Sequence, residues 1–308
     1  MVVSEKIYKA LNEKNAIQRY LARKIFTYLE NIGWHLLGDH FYEPIPNTKY
    51  ILEQYKDEPR SNLNIDFRFN ESENLTLNIL DEWGKSFYAV STQYGYEEKN
   101  YYFSGLDSII LYCFLRQNKP KQVIEVGQGV STRVIIAALE QNFKDSGEIA
   151  NFISIDPYAR FSNEEKETQV RCKIIREPLQ RVPTSLFTEL GESDFLFIDS
   201  SHVYKFGSDV EYQFENIYPN LNKGVYIHIH DIFSPYHYPL DWFVKQKRFW
   251  NEQYYLETML RLNKLFKVII PVNYLSRCSE SLKVKSNLIC NYENFKCKGS
   301  SFYIQKII

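Results

Sequence analysis

The first hundred residues divide into a periodic part and an irregular part. From residue 4 to about 32, apolar residues recur at helical spacing with charged residues between them, namely Ile7, Leu11, Ile17, Leu21, Ile25, Phe26 and Leu29. This period predicts one or two amphipathic helices that stop near Gly33. Residues 34 to about 100 are rich in Asn, Tyr and Pro, and alternating stretches such as Leu75–Leu80 predict short strands. We expect residues 1–100 to form an accessory region or cap.

After Tyr102 the pattern changes, because apolar strands and amphipathic helices begin to alternate. The predicted strands are KQVIEV, NFISID, CKII, DFLFID, GVYIHIHD, KVIIPV and GSSFYIQKI, and the predicted helices are 106–117, 131–141, 183–190, 207–218 and 243–263, with an irregular stretch through Cys297. Such alternation is typical of α/β proteins with a doubly wound parallel sheet. We therefore expect residues 101–308 to form a Rossmann-like domain.

Charge adds little about partners. The 37 basic and 38 acidic side chains leave a net charge of −1, which provides no global field for nucleic acid or an anionic membrane. Basic residues outnumber acidic ones from Phe243 onward, but no run of five to eight consecutive basic residues occurs, and a solvated face explains the excess. Nucleic acid is therefore an unfavoured partner. The 24 Tyr and 21 Phe are interpreted mainly as packing residues.

Cysteine usage and hydropathy favour a cytoplasmic protein. The five cysteines form no C-x-x-C pair, and an odd number cannot all pair within one chain, so we interpret them as reduced thiols. The first twenty residues lack the apolar core of a secretory signal, and no window of about 18 apolar residues suggests a membrane span.

The sharpest motif is VIEVGQGVSTR at residues 123–133. An apolar strand ends near Glu125, and Gly127 and Gly129 allow a tight turn and close approach of a ligand before Ser131 and Thr132 begin a helix. This arrangement is typical of a nucleotide cradle. A dinucleotide fingerprint would place a third glycine where Thr132 stands, so a cofactor other than NAD is favoured. Glu125 is placed to meet a cationic amino group, which a methionine-derived sulfonium cofactor carries.

Asp156 ends the next predicted strand, 27 residues beyond Gly129. A carboxylate at this edge can accept hydrogen bonds from both ribose hydroxyls of a nucleoside. The alternative is an ordinary turn or N-cap aspartate before Pro157. Together with the glycine loop, Asp156 indicates nucleoside binding.

Polar residues also follow the fourth and fifth predicted parallel strands. Ligands of open parallel sheets lie outside the carboxyl ends of the strands, so Asp199, His202, His230 and Asp231 should converge beside the cofactor. Strand alternation places His228 on the same face as His230. The sequence predicts a polar cluster at this edge.

These segments together resemble the class I S-adenosylmethionine-dependent methyltransferases, in particular bacterial members. The resemblance spans residues 100–306 through VIEVGQGVSTR, SIDPY, FLFIDSSHVY, GVYIHIHDIFSPYHYP and GSSFYIQK, with a less secure HFYEPIP at residues 40–46. It implies a seven-stranded sheet with an antiparallel last strand and an acceptor pocket walled by the accessory region. It also implies cofactor contacts at Glu125, Gly127, Gly129 and Asp156, and an adenine-contacting position near residues 177–180.

Methyl transfer to oxygen or nitrogen requires a nearby acceptor and removal of a proton. We expect His202 or His230 to be the base, with His228 in a structural role, and a small-molecule acceptor. A sugar hydroxyl is favoured by family analogy alone. Trp34, His35, His40, Tyr42 and residues 101–103 either line the acceptor pocket or pack the cap. The oligomeric state stays open, and the N-terminal helix docks on its own domain or on another subunit.

Three alternatives remain open. Asp199 and Asp231 could hold a divalent ion such as magnesium, as in related O-methyltransferases, although Ile232 stands where the catechol-type pattern has Asn. His202, His230 and Asp231 could instead hold nonheme iron. The third alternative is a nucleoside-binding module without catalytic activity.

Overall fold

The computed structural model describes residues 16–35, 44–161, 168–289 and 295–308. The described chain divides into two compact units. One contains the described residues up to Lys56 together with Pro239–Phe249, and the other contains Asp57–Tyr238 and Trp250–Ile308. The predicted boundary at residue 100 differs from this division, and the accessory role of residues 1–100 stays a prediction.

A seven-stranded sheet forms the centre of the larger unit. Its strands are β1 Gln122–Val126, β2 Asn151–Ile155, β3 Cys172–Ile175, β4 Phe195–Ile198, β5 Tyr226–Ile229, β6 Phe266–Pro271 and β7 Phe302–Lys306. Their order is β3-β2-β1-β4-β5-β7-β6. The first five pair in parallel, and β7 is antiparallel to both β5 and β6. The predicted Rossmann-like sheet with an antiparallel last strand is confirmed.

Helices connect and flank the strands. They are α1 Ala16–Asn31, α2 Thr48–Gln54, α3 Phe69–Trp83, α4 Phe87–Ser91, α5 Leu106–Asn118, α6 Val130–Ser146, α7 Ser185–Thr188, α8 Asp209–Tyr212, α9 Leu240–Val244, α10 Glu252–Leu262, α11 Val272–Cys278 and α12 Glu280–Ile289. A π-helical turn, Gln213–Ile217, extends α8. Each described α-helix or strand between β1 and β5 lies within one predicted helix or strand or overlaps it.

The sheet is covered on both faces. Along β4, Phe195 and Phe197 belong to one buried apolar cluster, and Leu196 and Ile198 belong to another. A strand that is apolar at every position is what a parallel sheet with packed layers on both faces requires. The same burial explains why DFLFID carries no polar alternation before Asp199.

The predicted strand at Leu75–Leu80 is wrong, because these residues lie in α3. The buried positions Ser72, Thr76, Ile79 and Leu80 follow helical spacing, and the Thr76 hydroxyl donates to the Ser72 carbonyl (2.7 Å). A short window of alternating apolar residues did not reveal this longer period. Within the described ranges, residues 44–100 contain helices and turns but no strand.

Two further predictions around the C-terminal third are corrected. The single helix predicted over residues 243–263 is two helices, α9 and α10. Lys247 between them adopts a left-handed φ of 56°, which interrupts helical geometry. The stretch predicted as irregular contains α11 and α12.

The four cysteines within the described ranges are reduced thiols. Within the described ranges, Cys113, Cys172, Cys278 and Cys297 form no disulfide, and Cys290 lies outside those ranges, as do His40 and Tyr42. No helix among the described residues has both the length and the apolar character needed to cross a membrane.

Candidate active site

The loop between β1 and α6 turns on Gly127. Its φ is +86°, and its N–H donates to the Ile155 carbonyl (3.0 Å) at the end of β2. A Cβ at this position would lie 1.7 Å from the carbonyl oxygen of Asp199. The loop therefore packs directly against the ends of the two neighbouring strands, and only glycine fits there. Gly129 differs, because a Cβ there would meet open space.

Glu125 does not reach the cleft beside this loop. Its side chain is fully buried, and its carboxylate accepts hydrogen bonds from the hydroxyls of Ser131 (2.8 Å), Thr132 (2.9 and 3.0 Å) and Ser154 (2.7 Å). Burial raises the pKa of Glu125 to about 7. Glu125 therefore has an internal role, in which it ties the start of α6 to β1 and β2, and its contact with a cationic amino group stays a prediction.

Asp156 lies at the carboxyl end of β2, as predicted, and it also shapes the loop. Its two oxygens accept hydrogen bonds from the backbone N–H groups of Gln128 (2.9 Å) and Tyr158 (2.6 Å). The predicted turn role and the predicted ligand role are compatible, since an ionised carboxylate has about four acceptor sites.

A cleft of about 630 Å³ opens over the glycine loop. Its lining residues are Tyr102, Phe103, Gln128, Gly129, Val130, Ser131, Arg133, Asp156, Tyr158, Arg160, Phe161 and Asp199. In its wall, the buried Nε2 of Gln128 has no hydrogen-bond partner in the described structure, while Oε1 accepts from the Phe161 N–H (2.7 Å). An unpartnered buried donor beside a cleft is a position where a ligand acceptor would fit.

Asp199 joins this cleft to a buried histidine cluster. Its Oδ1 lies 3.3 Å from His202 Nε2 and 3.6 Å from His230 Nδ1. Asp231 Oδ2 lies 3.8 Å from His202 Nε2 and 3.7 Å from His230 Nδ1. Asp199, His202, His230 and Asp231 therefore converge at this edge of the sheet, as predicted. Burial alone would raise the pKa of Asp199, but the charge of His230 holds that pKa well below its usual range.

His202 is held at both ring nitrogens. On the other side from Asp199, Nδ1 lies 2.8 Å from the Glu252 carboxylate, and the ring packs on Trp250 with centroids 4.3 Å apart. Burial alone would lower the pKa of His202, but its hydrogen bonds to Asp199 and Glu252 raise it to about 10. The ring is therefore protonated at neutral pH, and it must release a proton before it can act as a general base.

His230 and His228 occupy different environments although they share a strand face. His230 Nε2 lies 3.6 Å from Asp107 Oδ2, and despite burial the neighbouring Asp231 and Asp199 raise the pKa of His230 well above its ordinary value. His228 is fully buried, stacks on a phenylalanine ring of β4 and bonds Ser301 Oγ (2.8 Å) through Nε2. Burial lowers its pKa well below the ordinary value. His228 is thus a neutral core histidine.

Three residues of this cluster form a candidate cation site. Among the described residues, ligand atoms of Asp199, His230 and Asp231 all lie within 4.8 Å of one another. This group contains both predicted magnesium ligands. It differs from the predicted iron set, because His202 is not a member and Asp199 is.

Two residues that contact the histidines of this cluster, Glu252 and Asp107, were not predicted from sequence motifs. Glu252 begins α10, 50 residues after His202, and Asp107 lies in the first turn of α5, where it accepts hydrogen bonds from the N–H groups of Ser300 and Ser301 (2.8–3.0 Å). Neither adjoins a recognisable motif. An acidic residue in the first turn of each helix was visible in the sequence, but that signal is common and points first to helix stabilisation.

Residues 124–232 match the family model of a methyltransferase domain. An uncharacterized protein of Archaeoglobus fulgidus is 26% identical over 164 residues, covering 50% of this chain and 73% of the relative. The chain is also similar to a plantazolicin methyltransferase, BpumL, solved with a pentazolic desmethylPZN analog and SAH (13% identity, TM-score 0.39, 78% of this chain and 100% of that chain). Another similar structure is SAH-bound PaMTH1 of Podospora anserina (13%, 0.34, 85% and 94%).

Proposed function

We propose that this chain, a class I S-adenosylmethionine-dependent methyltransferase, methylates a hydroxyl oxygen of a small molecule or sugar with the help of His202. The class depends on the domain match over residues 124–232 and on the strand order, in which β7 lies antiparallel between β5 and β6. The choice of oxygen and of a sugar is supported by family analogy. The observation that carries the proposal is the single cleft that contains both the glycine loop and Asp199.

The residues along the cleft fit the cofactor. Gly129 leaves space beside the backbone, Gln128 offers an unpartnered buried N–H, and Asp156 retains acceptor sites for ribose hydroxyls. Gly127 packs the loop against Asp199, and Glu125 accepts a hydrogen bond from Ser131 at the start of α6. When bound, the cofactor supplies an electrophilic methyl group on a sulfonium.

The cluster around Asp199 is suited to receive the acceptor's proton. Asp199 lines the cleft, and its carboxylate is shared with His202 and His230. Once the His202 imidazolium has released its Nε2 proton to solvent, an acceptor hydroxyl that donates a hydrogen bond to Asp199 can pass its proton through that carboxylate to His202 Nε2 as negative charge develops on oxygen. Phe103 packs against the His230 ring (5.1 Å between centroids), so Tyr102 and Phe103 place aromatic surface beside this end of the cleft.

Cofactor binding is tested first by calorimetric titration with S-adenosylmethionine and S-adenosylhomocysteine. We expect binding by the wild type and affinity at least roughly 10-fold weaker in Asp156→Ala, because charge-assisted hydrogen bonds to ribose are lost. Glu280→Gln is the control, since it removes an exposed carboxylate that does not line the cleft. Absence of binding at millimolar ligand would end the proposal.

Methyl transfer is tested with a radiolabelled methyl donor and a panel of sugars, phenols and amines. We expect a hydroxyl acceptor to be labelled, and His202→Gln to lower kcat by roughly 100-fold or more while cofactor affinity is kept. His237→Gln is a matched control, because His237 bonds Tyr254 outside the cleft lining. Exclusive labelling of amines would contradict O-methylation. If the cofactor binds and no acceptor is labelled, a binding module without catalysis becomes the better account.

A metal-assisted form of the same reaction is the second candidate, supported by the grouping of Asp199, His230 and Asp231. Two carboxylates and an imidazole are donors that divalent cations accept, and a bound cation lowers the pKa of a coordinated hydroxyl. Calorimetric titration of chelator-treated protein with Mg²⁺ and Mn²⁺, together with Asp231→Asn, tests this directly. Binding that Asp231→Asn abolishes supports the candidate, and full activity in chelator without binding rejects it.

A further inference from the structure

Glu252 is a buried carboxylate whose main partner is His202. It is the first residue of α10, its side chain is fully buried, and Oε2 lies 2.8 Å from Nδ1 of the ring. The other oxygen, Oε1, is buried and has no hydrogen-bond partner in the described part of the chain. Burying a carboxylate with one oxygen unpartnered is costly, so its place beside His202 requires a reason other than stability.

A second buried glutamate on the same helix provides a contrast. Glu257 lies five residues later, and both of its oxygens accept hydrogen bonds, from Arg60 at Oε2 (3.0 Å) and from Arg60, Ser234 and Gln253 at Oε1. Glu257 thus has the environment of a fully satisfied structural ion pair. Glu252 does not.

The segment Trp250–Glu252 contacts the loop between β4 and α8, here called the His202 loop, through backbone hydrogen bonds, side-chain hydrogen bonds and a ring contact. The N–H groups of Asn251 and Glu252 both donate to the His202 carbonyl (3.1 and 3.2 Å). The Asn251 side chain accepts from the Tyr204 N–H (2.7 Å) and donates to its carbonyl (3.2 Å). Trp250 packs on the His202 ring. These contacts hold His202 at a left-handed φ of 60°, a conformation that costs a non-glycine residue energy and needs such support.

We propose that Glu252 is a positioning residue for the reaction, which fixes the His202 ring so that Nε2 faces Asp199 and Asp231. A carboxylate on Nδ1 determines the tautomer and the ring rotation, and it leaves the opposite nitrogen directed at the reacting groups. Here Nε2 lies 3.3 Å from Asp199, which lines the cleft. This inference rests on the proposed role of His202 in methyl transfer.

The kinetic test is a double-mutant cycle of Glu252→Gln and His202→Gln in the full chain. We expect Glu252→Gln to lower kcat roughly 10- to 100-fold with little change in cofactor affinity, since partners that orient a functional histidine have effects of this size. In the His202→Gln background the same change should have almost no further effect on kcat. Glu252→Asp should restore part of the loss. Glu257→Gln should lower the midpoint of urea unfolding and leave kcat unchanged.

A spectroscopic test separates this inference from the proposed function. In the proton NMR spectrum of the wild type, the His202 Nδ1–H should resonate far downfield because it is bonded to a carboxylate, and Glu252→Gln should move it upfield. Assignment comes from loss of the signal in His202→Gln. If no acceptor is ever methylated but this shift occurs, the proposed function fails and the positioning contact stands. An unchanged signal, or kcat losses that add fully in the cycle, would overturn the inference.

Discussion

At the scale of single residues, two glycines of one loop have opposite surroundings. Gly127 needs its positive φ and its missing side chain, whereas Gly129 has φ near −162° and open space where a Cβ would lie. From the sequence, both glycines were predicted to form the nucleotide cradle. Their different surroundings could not be predicted, because the carbonyl group that approaches Gly127 belongs to Asp199, which follows another strand.

Alanine substitution should separate their roles. We expect Gly127→Ala to lose at least about 1–3 kcal/mol of unfolding free energy from the backbone alone, before the clash with Asp199 is relieved. Gly129→Ala should stay within about 0.5 kcal/mol of the wild type and weaken cofactor binding, since its methyl group would occupy open space beside the cleft. Urea unfolding and calorimetric titration measure the two quantities. Equal stability of both variants would contradict the geometry.

Glu125 should make stability depend on pH. Burial raises the folded-state pKa from 4.5 to about 7, so the folded protein binds the proton more tightly than the unfolded chain does. The stabilisation is therefore complete below pH 4.5 and is lost as pH rises toward 7, by on the order of a few kcal/mol. We expect Glu125→Gln to remove this slope. Urea unfolding at several pH values from 4.5 to 8 checks it, and parallel profiles for both proteins would refute it.

At the scale of elements, local pattern predicted the strands of the sheet well and the helices outside it poorly. Strands β1, β2 and β4 are short, mainly apolar runs followed directly by Gly or Asp, and this signal is local. In α3 the helical period extends over Ser72, Thr76 and Ile79, while the window Leu75–Leu80 alone alternates. In the same way, the contact between α10 and the His202 loop joins segments 50 residues apart and has no local signature.

Substitutions at three positions of α3 distinguish helix from strand. Ile79 is 1% exposed, so Ile79→Ala should cost about 2–4 kcal/mol of unfolding free energy. The neighbouring Asn78 is exposed, and Asn78→Ala should change stability by less than about 0.5 kcal/mol. In a strand, Thr76 and Asn78 would share one face. In the helix Thr76 is buried, so Thr76→Asp should destabilise strongly while Asn78→Asp does not. Similar effects at residues 76 and 78 would contradict the helix.

At the scale of the whole molecule, the alternation of strands and helices after Tyr102 sufficed to predict the fold class. The division between the compact units could not be predicted in this way, because the smaller unit combines residues from the N-terminal region with Pro239–Phe249. The sequence of Pro239–Phe249 has no feature that assigns this segment to the smaller unit. Convergence of Asp199, His202, His230 and Asp231 was predictable, since strand ends of a parallel sheet share an edge.

Ligand binding should stabilise the fold as a whole. S-adenosylhomocysteine at 100 times its Kd should add about 2.7 kcal/mol to the unfolding free energy, because it binds only the folded state. Thermal unfolding with increasing ligand measures the effect as a rise in Tm. Asp156→Ala should need proportionally more ligand for the same rise. A Tm that does not respond to ligand would be inconsistent with a cofactor site in the cleft.

The position of β7 has a consequence for the order of assembly. β6 joins the sheet only through β7, although it precedes β7 in the chain. During synthesis, the edge of β5 therefore stays unpaired until Phe302–Lys306 has left the ribosome. An open apolar strand edge is prone to pair with other chains, so a nascent polypeptide stalled before residue 302 is the form in which this protein is most exposed to aggregation and to chaperone capture.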